Sequence, residues 1–170
     1  MGIIRHSLAY LSLGSNVGDR EQHLENAQRE LAEHVGKIVS VSPLYENPPF
    51  GFEADQHFLN LCLCIQTTLS PSELLQKCNK IEFSIGRVKK STNGMYHSRC
   101  IDIDIILFNN LTIDSEALTI PHPHFRKRRF VLKPLNDIAF NKIDPETSLT
   151  IEQLLANCTD ESDMKIWTQS

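Results

Sequence analysis

One run of nine residues, FLNLCLCIQ at 58–66, most constrains the fold of this chain. Large aliphatic side chains occupy its odd positions after Phe58, while asparagine, cysteine and glutamine occupy the even positions from Asn60 to Gln66. Successive side chains of a β-strand point to opposite faces, so this alternation predicts a strand. Its aliphatic face requires a layer of helices, whereas the face of Asn60 carries small and polar residues.

Further elements are predicted on both sides of this strand. One helix follows the capping residue Asp19 and ends before Gly36, and a second follows the capping residue Ser70 and ends before Gly86. Strands are predicted at 8–14, 37–47 and 101–108, with the segment LTID (111–114) returning as a hairpin partner of the last one.

The order β-α-β-β-α-β predicts a ferredoxin-like α/β (α+β) fold, in which helices cover an antiparallel sheet. Two shorter helical patterns, at 130–140 and 148–158, are expected to cap the domain. A chain of 170 residues is long enough to bury one core. We therefore expect a single domain over 1–170, with its core at about 8–156 and a polar tail at 157–170.

Composition argues against several function classes. A formal net charge of −4 argues against a nucleic-acid binder. No apolar stretch reaches the length of a membrane span, and the start lacks the pattern of a signal peptide. The odd number of cysteines, five, is typical of reduced thiols. We expect a cytoplasmic protein with small-molecule partners and with neither nucleic acid nor a membrane among its partners.

The run RCIDIDIILF (99–108) places two aspartates in an otherwise apolar strand. The same alternation puts Asp102 and Asp104 on one face and Ile101, Ile103, Ile105 and Leu107 on the other. Two neighbouring carboxylates repel each other, so the pair favours a bound cation, and Mg²⁺ is the usual one where phosphate is also present. The alternative is a solvated outer face of an edge strand.

Eight of the 17 basic residues lie in two short windows that contain no acidic residue, 86–100 and 121–130. Beside paired carboxylates, such windows favour a metal-bound polyphosphate. For the run RKRR (126–129), the alternative is a solvated basic turn or a nucleic-acid patch. The eight basic residues are Arg87, Lys89, Lys90, Arg99, Arg126, Lys127, Arg128 and Arg129.

The loop NPPFGFEADQHFLN (47–60) is rich in proline and phenylalanine and ends at Asn60. Flat apolar side chains beside an amide favour a slot for a planar heterocycle. For each phenylalanine singly, packing in the core is the alternative.

With these motifs in their order, the chain resembles the 6-hydroxymethyl-7,8-dihydropterin pyrophosphokinases of folate synthesis over roughly residues 8–155. The resemblance rests on LSLGSNVGDR, SPLYENPPFG, FLNLCLCI, IGRVKK, RCIDIDIILF and IPHPHFRKRRFVLKPL. It implies transfer of the β,γ-pyrophosphoryl group of ATP to the pterin hydroxymethyl oxygen, with release of AMP. It also implies a three-layer αβα elaboration of the ferredoxin-like fold, and a monomer.

The resemblance assigns site residues in three groups. Asp102 and Asp104 match ligands of two Mg²⁺ ions and, with Arg87 and Arg99, the catalytic positions. The positions that match ATP contacts are Asn79, Glu82, Lys89, Lys90, Ile105, Thr119, His122 and Arg128. The positions that match the pterin pocket are Asn47, Pro48, Pro49, Phe50, Phe58, Asn60, Tyr96 and Phe130.

The chain departs from the family pattern in the segment before the aspartates. Tyr96, His97, Ser98 and Arg99 follow Met95 where the family commonly has an aromatic-Gly-Pro-Arg run after a basic residue. The loop therefore lacks one basic side chain of the family pattern, and we expect Lys90 to supply that charge. Elsewhere, asparagine replaces a frequent glutamine at position 79 and a frequent threonine at position 47.

Three other classes of protein or site share part of this pattern. A ferredoxin-like RNA-binding module would expose aromatic residues on its central strands, where this chain has Asn60, Asp102 and Asp104. Another Mg²⁺-dependent nucleotidyl- or phosphotransferase would share the aspartates and basic windows, and differs by lacking the aromatic-asparagine slot. A zinc site is disfavoured, because neither His122 with His124 nor Cys62 with Cys64 has further ligands at zinc-site spacing.

Overall fold

The structure is a computed structural model that describes residues 5–50, 53, 55–86 and 100–168. Among them are eight strands: β1 Ser7–Ser15, β2 Gly36–Val41, β3 Tyr45–Asn47, β4 Phe58–Thr67, β5 Asp102–Phe108, β6 Ile113–Asp114, β7 Thr119–Ile120 and β8 Lys165–Ile166. The main sheet is antiparallel and has the order β5-β1-β4-β3-β8, with β2 also paired to β4. Strands β6 and β7 form a separate pair.

In the described residues, four α-helices cover the two faces of the main sheet: α1 Arg20–His34, α2 Pro71–Ser84, α3 Arg129–Ala139 and α4 Ile151–Ala156. The predicted caps are present. Asp19 accepts a hydrogen bond from the backbone of Gln22 at the start of α1. Ser70 and Glu73 form a reciprocal capping box at the start of α2. No helix in the described part of the chain is long and apolar enough to cross a membrane.

The core is divided by the sheet into two apolar clusters. The first contains the aliphatic face of β4, from Leu59 to Ile65, together with the buried faces of α1 and α2. The second lies on the opposite face, where Cys62 packs with residues of α3 and α4. This arrangement confirms the ferredoxin-like βαββαβ core and its elaboration to a three-layer αβα sandwich.

The predicted alternation of β5 is wrong at Leu107. The pairing of β1 with β5 shifts register between Tyr10 and Leu11, so that Leu11 faces Ile105 and Tyr10 faces Leu107, which leaves Ile106 as an extra residue. Such a bulge moves the following side chain to the other face. Leu107 therefore packs in the cluster beneath α3, whereas Ile105 belongs to the first cluster.

Two further strand predictions, one about a strand's length and one about its partner, are also wrong. The strand predicted over 37–47 is interrupted after Val41, because the hydroxyl of Ser42 accepts from the backbone N–H of Cys62 at 3.0 Å and Pro43 has no N–H for the ladder. The segment LTID does not return beside β5. Its Ile113 and Asp114 pair with β7 instead, across a turn in which the Ser115 N–H donates to the Leu118 carbonyl at 3.1 Å.

Candidate active site

Two half-buried carboxylates, Asp102 and Asp104, lie on one face of β5. They face Gly14 and Ser12 of β1, and Asn60 of β4 faces Gly14 from the other side. Facing residues of antiparallel strands point to the same side of the sheet. A row of three residues therefore brings a carboxylate and an amide onto one face with only a glycine between them.

His122 lies beside this pair of carboxylates. Its Nε2 atom is 3.9 Å from Oδ2 of Asp104, and its Nδ1 atom accepts from the backbone N–H of His124 at 3.2 Å. Burial, followed by the positive Arg128, lowers the pKa of His122 to about 4. The imidazole is therefore neutral at pH 7, and its proton lies on Nε2, directed to the side of Asp104.

A cavity of about 200 Å³ opens next to Asp104. Its lining includes Ile105, Thr119 and His122. The structure thus brings three of the residues predicted to contact ATP together beside Asp104, a predicted metal ligand. Asn79 is half-buried on α2 and is not among the residues that line this cavity.

Glu82 lies behind the aspartates, buried between α2 and β5. Only 3% of its surface is exposed, and its Oε1 atom accepts from the backbone N–H of Ile103 at 2.7 Å. Strand β5 is an outer strand of the described sheet, so this bond satisfies a backbone donor of that strand. Glu82 therefore fixes the backbone between Asp102 and Asp104, and its contact with the nucleoside stays a prediction.

The predicted amide of the pterin slot is held by a second asparagine. Nδ2 of Asn60 donates to Oδ1 of Asn47 at 2.6 Å, and Nδ2 of Asn47 donates to the carbonyl of Pro48 at 3.0 Å. Both side chains are buried. The chain of bonds fixes the orientation of each amide, which is what a site that recognises polar groups by geometry requires.

The aromatic residues around these asparagines are only partly buried. Phe58 and Phe130 are half-buried, and Phe50 is 45% exposed. The ring centroids of Phe50 and Phe130 are 6.2 Å apart at an interplanar angle of 49°, a separation typical of two rings in direct contact. The guanidinium of Arg128 lies 5.8 Å from the ring of Phe130.

The second basic window divides into residues with different surroundings. Arg126 donates to Asp144 through Nε at 2.7 Å and through Nη2 at 2.9 Å, and also to Glu146 at 2.7 Å. Its charge is therefore neutralised within the protein. The expectation that this whole window serves an anion is wrong for Arg126, whereas Arg128 acts on the electrostatics of His122 beside the aspartates.

Comparison with known proteins assigns the family. The model of the 7,8-dihydro-6-hydroxymethylpterin-pyrophosphokinase family matches residues 10–140. The chain belongs to this family. Its members are enzymes that transfer a pyrophosphoryl group from ATP to hydroxymethyldihydropterin in folate biosynthesis, so the expectation of such an enzyme is confirmed.

Two curated relatives are 2-amino-4-hydroxy-6-hydroxymethyldihydropteridine pyrophosphokinases. The relative from Bacillus subtilis is 38% identical over 165 residues, which are 96% of this chain and 92% of the relative. The relative from Porphyromonas gingivalis is 42% identical over 134 residues, which are 78% of this chain and 91% of the relative.

Solved structures of larger chains share the fold. The wild-type HPPK-DHPS of Plasmodium falciparum matches with a TM-score of 0.74 at 19% identity, over 90% of this chain and 45% of that chain. An HPPK-DHPS in complex with substrates gives a TM-score of 0.74 at 18% identity, over 90% of this chain and 43% of that chain. The chain thus spans less than half of these proteins, and the likeness shows the fold.

Within the family site, the aspartate pair is the group whose chemistry suits a hard divalent cation. Two carboxylates on one face offer oxygen ligands, and water and phosphate oxygens complete the coordination that Mg²⁺ prefers. Among the described residues, Glu30, Glu33 and His34 also lie within metal-binding distance of one another. They form a largely exposed cluster on α1, away from the row of Asn60 and Asp102.

Two site residues were missed from the sequence. Ser12 and Gly14 face the aspartates from β1, and the signal for them was present in the small residues that alternate with Leu11 and Leu13. Five of the predicted site residues lie outside the described residues and stay predictions: Arg87, Lys89, Lys90, Tyr96 and Arg99.

Proposed function

We propose that this chain transfers the β,γ-pyrophosphoryl group of ATP to the hydroxymethyl oxygen of 6-hydroxymethyl-7,8-dihydropterin, with release of AMP. The observation that carries the proposal is the row in which Asn60 and Asp102 share one face across Gly14. A substrate amide read by Asn60 and a phosphate chain beside Asp102 would lie on the same side of the sheet. The membership of the family supports the same reaction.

Asp102 and Asp104 would hold Mg²⁺, and we propose that two ions bind there. Bound there, the metal would neutralise the phosphate oxygens that gain charge in the transfer. The donor set supports this role, because two carboxylates on one face of a strand repel each other and a divalent cation would offset that repulsion. ATP is the co-substrate and its triphosphate supplies further oxygen ligands.

The protein contributes binding and orientation in this reaction, since the attacking oxygen belongs to the substrate. Alignment of reacting groups can supply about 7–11 kcal/mol of the barrier. Neutral His122 would donate its Nε2 proton to a phosphate oxygen beside Asp104. The bonded pair Asn60 and Asn47 would present a fixed amide to the polar edge of the pterin.

For the whole molecule we propose a monomer in the cytoplasm. All five cysteines are free, and three of them are buried, which suits a reducing compartment. The edge strand β8 has two residues, and the charged Asp163 and Lys165 lie at it. Short edges with charged side chains disfavour pairing with a second chain.

The runner-up function is another Mg²⁺-dependent phosphotransferase that uses the same aspartates. It would release ADP where the proposed enzyme releases AMP. A ferredoxin-like binding module is less favoured, because the sheet face that would bind RNA carries Asp102 and Asp104.

The test is to incubate the protein with ATP, Mg²⁺ and the dihydropterin alcohol, and to follow AMP and ADP. Asp102→Asn and Asp104→Asn should each lower AMP release by at least about a hundredfold, because each removes a charge that holds the metal. Asp114→Asn is the matched control, since Asp114 is exposed on β6. Release of ADP would contradict the proposed reaction, and AMP release by both site variants at the normal rate would contradict the metal role.

A further inference from the structure

The C-terminal residues 160–168, here called the strap, lie against the strands that carry the pterin residues. Strand β8 pairs with β3 so that Ile166 faces Tyr45 and Lys165 faces Glu46. The backbone N–H of Trp167 continues the pairing by donating to the carbonyl of Leu44 at 2.8 Å. This segment was predicted only to be part of a polar tail.

Trp167 joins the strap to helix α1. Its indole N–H donates to the carboxylate of Glu21, and its ring lies 5.0 Å from the guanidinium carbon of Arg20. The tryptophan is half-buried and packs against the first apolar cluster. A guanidinium over an indole face is held in place both by attraction to the ring and by the area of contact.

Arg20, held in this way, joins two strand ends. Its Nη1 atom donates to Oε1 of Glu46 at 2.8 Å and to the carbonyl of His57 at 2.6 Å. Glu46 directly precedes Asn47, and His57 directly precedes Phe58. Asn47 and Phe58 themselves face each other as paired residues. The arginine therefore fixes the separation of the strand ends from which two pterin residues project.

The other end of the strap is attached beside a third pterin residue. Oδ2 of Asp160 accepts from the backbone N–H of Arg129 at 2.9 Å, and Arg129 directly precedes Phe130 at the start of α3. Asp160 is also bonded to the backbone N–H of Ser162 at 2.9 Å. The strap thus spans from Phe130 on one helix to the Asn47 and Phe58 pair on the sheet.

We propose that Trp167 and Arg20 are positioning residues that set the geometry of the pterin slot from outside it. This inference rests on the proposed function for its substrate. Neither residue needs to touch the pterin. The strap fixes Asn47 and Phe58 relative to Phe130. Its strand β8 pairs with β3, whereas the aspartates lie on β5 and no strap residue lines the cavity beside Asp104.

The kinetic test compares the two substrates. Trp167→Ala should raise KM for the dihydropterin about tenfold, because small displacements of positioning groups cost this much or more, and should leave KM for ATP within about twofold. Trp167→Phe keeps a ring over Arg20 and should restore most of the loss. Phe140→Ala is the matched control, since Phe140 is an aromatic residue with 56% of its surface exposed beyond α3.

Hydrogen exchange gives a second measurement that does not depend on turnover. In Trp167→Ala the backbone amides of Asn47 and Phe58 should exchange faster than in the unchanged protein, while those of β5 keep their rates. Suppose that exchange is faster in Trp167→Ala but that no protein, the unchanged one included, turns over the dihydropterin. That result would support the positioning role of the strap and overturn the proposed substrate. Equal losses for ATP and pterin, or unchanged exchange at Asn47 and Phe58, would overturn the inference.

Discussion

At the scale of single residues, the position of the Asn60 side chain depends on the absence of a side chain at Gly14. A Cβ atom at position 14 would lie 2.5 Å from Oδ1 of Asn60, closer than two such atoms can approach. The amide therefore occupies space that only a glycine leaves open. Gly14 belongs to the site although it has no side chain that could contact a substrate.

We expect Gly14→Ala to displace the Asn60 side chain and to weaken pterin binding while ATP binding changes little. A lost polar contact of this kind is worth on the order of 1–3 kcal/mol. Calorimetry with each ligand measures the effect. Because both changes act through one amide, Gly14→Ala combined with Asn60→Ala should lose no more affinity than Asn60→Ala alone. Additive losses in the double variant would show that Gly14 acts by another route.

At the scale of elements, the sequence correctly predicted those features of helices and strands that depend on residues close together in the chain. Helix caps at Asp19 and Ser70 were correct, because a cap is formed by residues three positions apart. The two faces of β4 were correct for the same reason. The bulge at Ile106 and the pairing of β6 with β7 were missed, because each depends on a partner strand that the local pattern does not specify.

The same limit explains why Arg126 was assigned to an anion. Its partner Asp144 lies 18 residues away in the chain, on the connection from α3 to α4, and its carboxylate is fully buried. Burial raises the pKa of Asp144, but hydrogen bonds from Arg126 and Thr147 outweigh this and hold the pKa below its usual value. The ion pair of Arg126 and Asp144 thus has a structural role, because it connects the basic run 126–129 to the segment between α3 and α4.

We expect Asp144→Asn to destabilise the fold by about 3 kcal/mol at pH 7, near the lower end for a broken buried ion pair, because Arg126 keeps Glu146. A depressed folded pKa contributes stability that is present above the unfolded pKa, about 4, and is lost as the pH falls through the folded value. The difference in Tm between variant and unchanged protein should therefore shrink below about pH 4.

Thermal unfolding over pH 3–7 measures this dependence. Glu146→Gln removes the more exposed partner of the same arginine and should cost less than about 1 kcal/mol. A constant difference in Tm for Asp144→Asn across this range would mean that the carboxylate is not charged in the folded protein.

At the scale of the whole molecule, the site is assembled by the strand order and not by sequence proximity. Asn60 and Asp102 are distant in the chain but become neighbours because β1 inserts between β4 and β5. The sequence predicted this through the ferredoxin-like order of elements. It had no signal for Arg20 and the strap, because their contacts join residues near both ends of the chain.

Because Asn60 lies on β4 and the two aspartates lie on β5, we expect the two ligands to stabilise the fold through different residues and therefore independently. A ligand that binds only the folded protein at a hundred times its Kd adds about 2.7 kcal/mol, and each kcal/mol raises Tm by about 2–4 °C in a chain of this size. ATP with Mg²⁺ should therefore raise Tm by roughly 5–10 °C. In the double variant Asp102→Asn with Asp104→Asn most of this shift should vanish, and the shift produced by the dihydropterin should remain.

The reverse pattern is expected for Asn60→Ala, which should lose the pterin shift and keep the nucleotide shift. Asp114→Asn, an exposed change on β6, should leave both shifts unaltered. If the double aspartate variant retained the full nucleotide shift, ATP would be held by other residues and the face of β5 would not be its site.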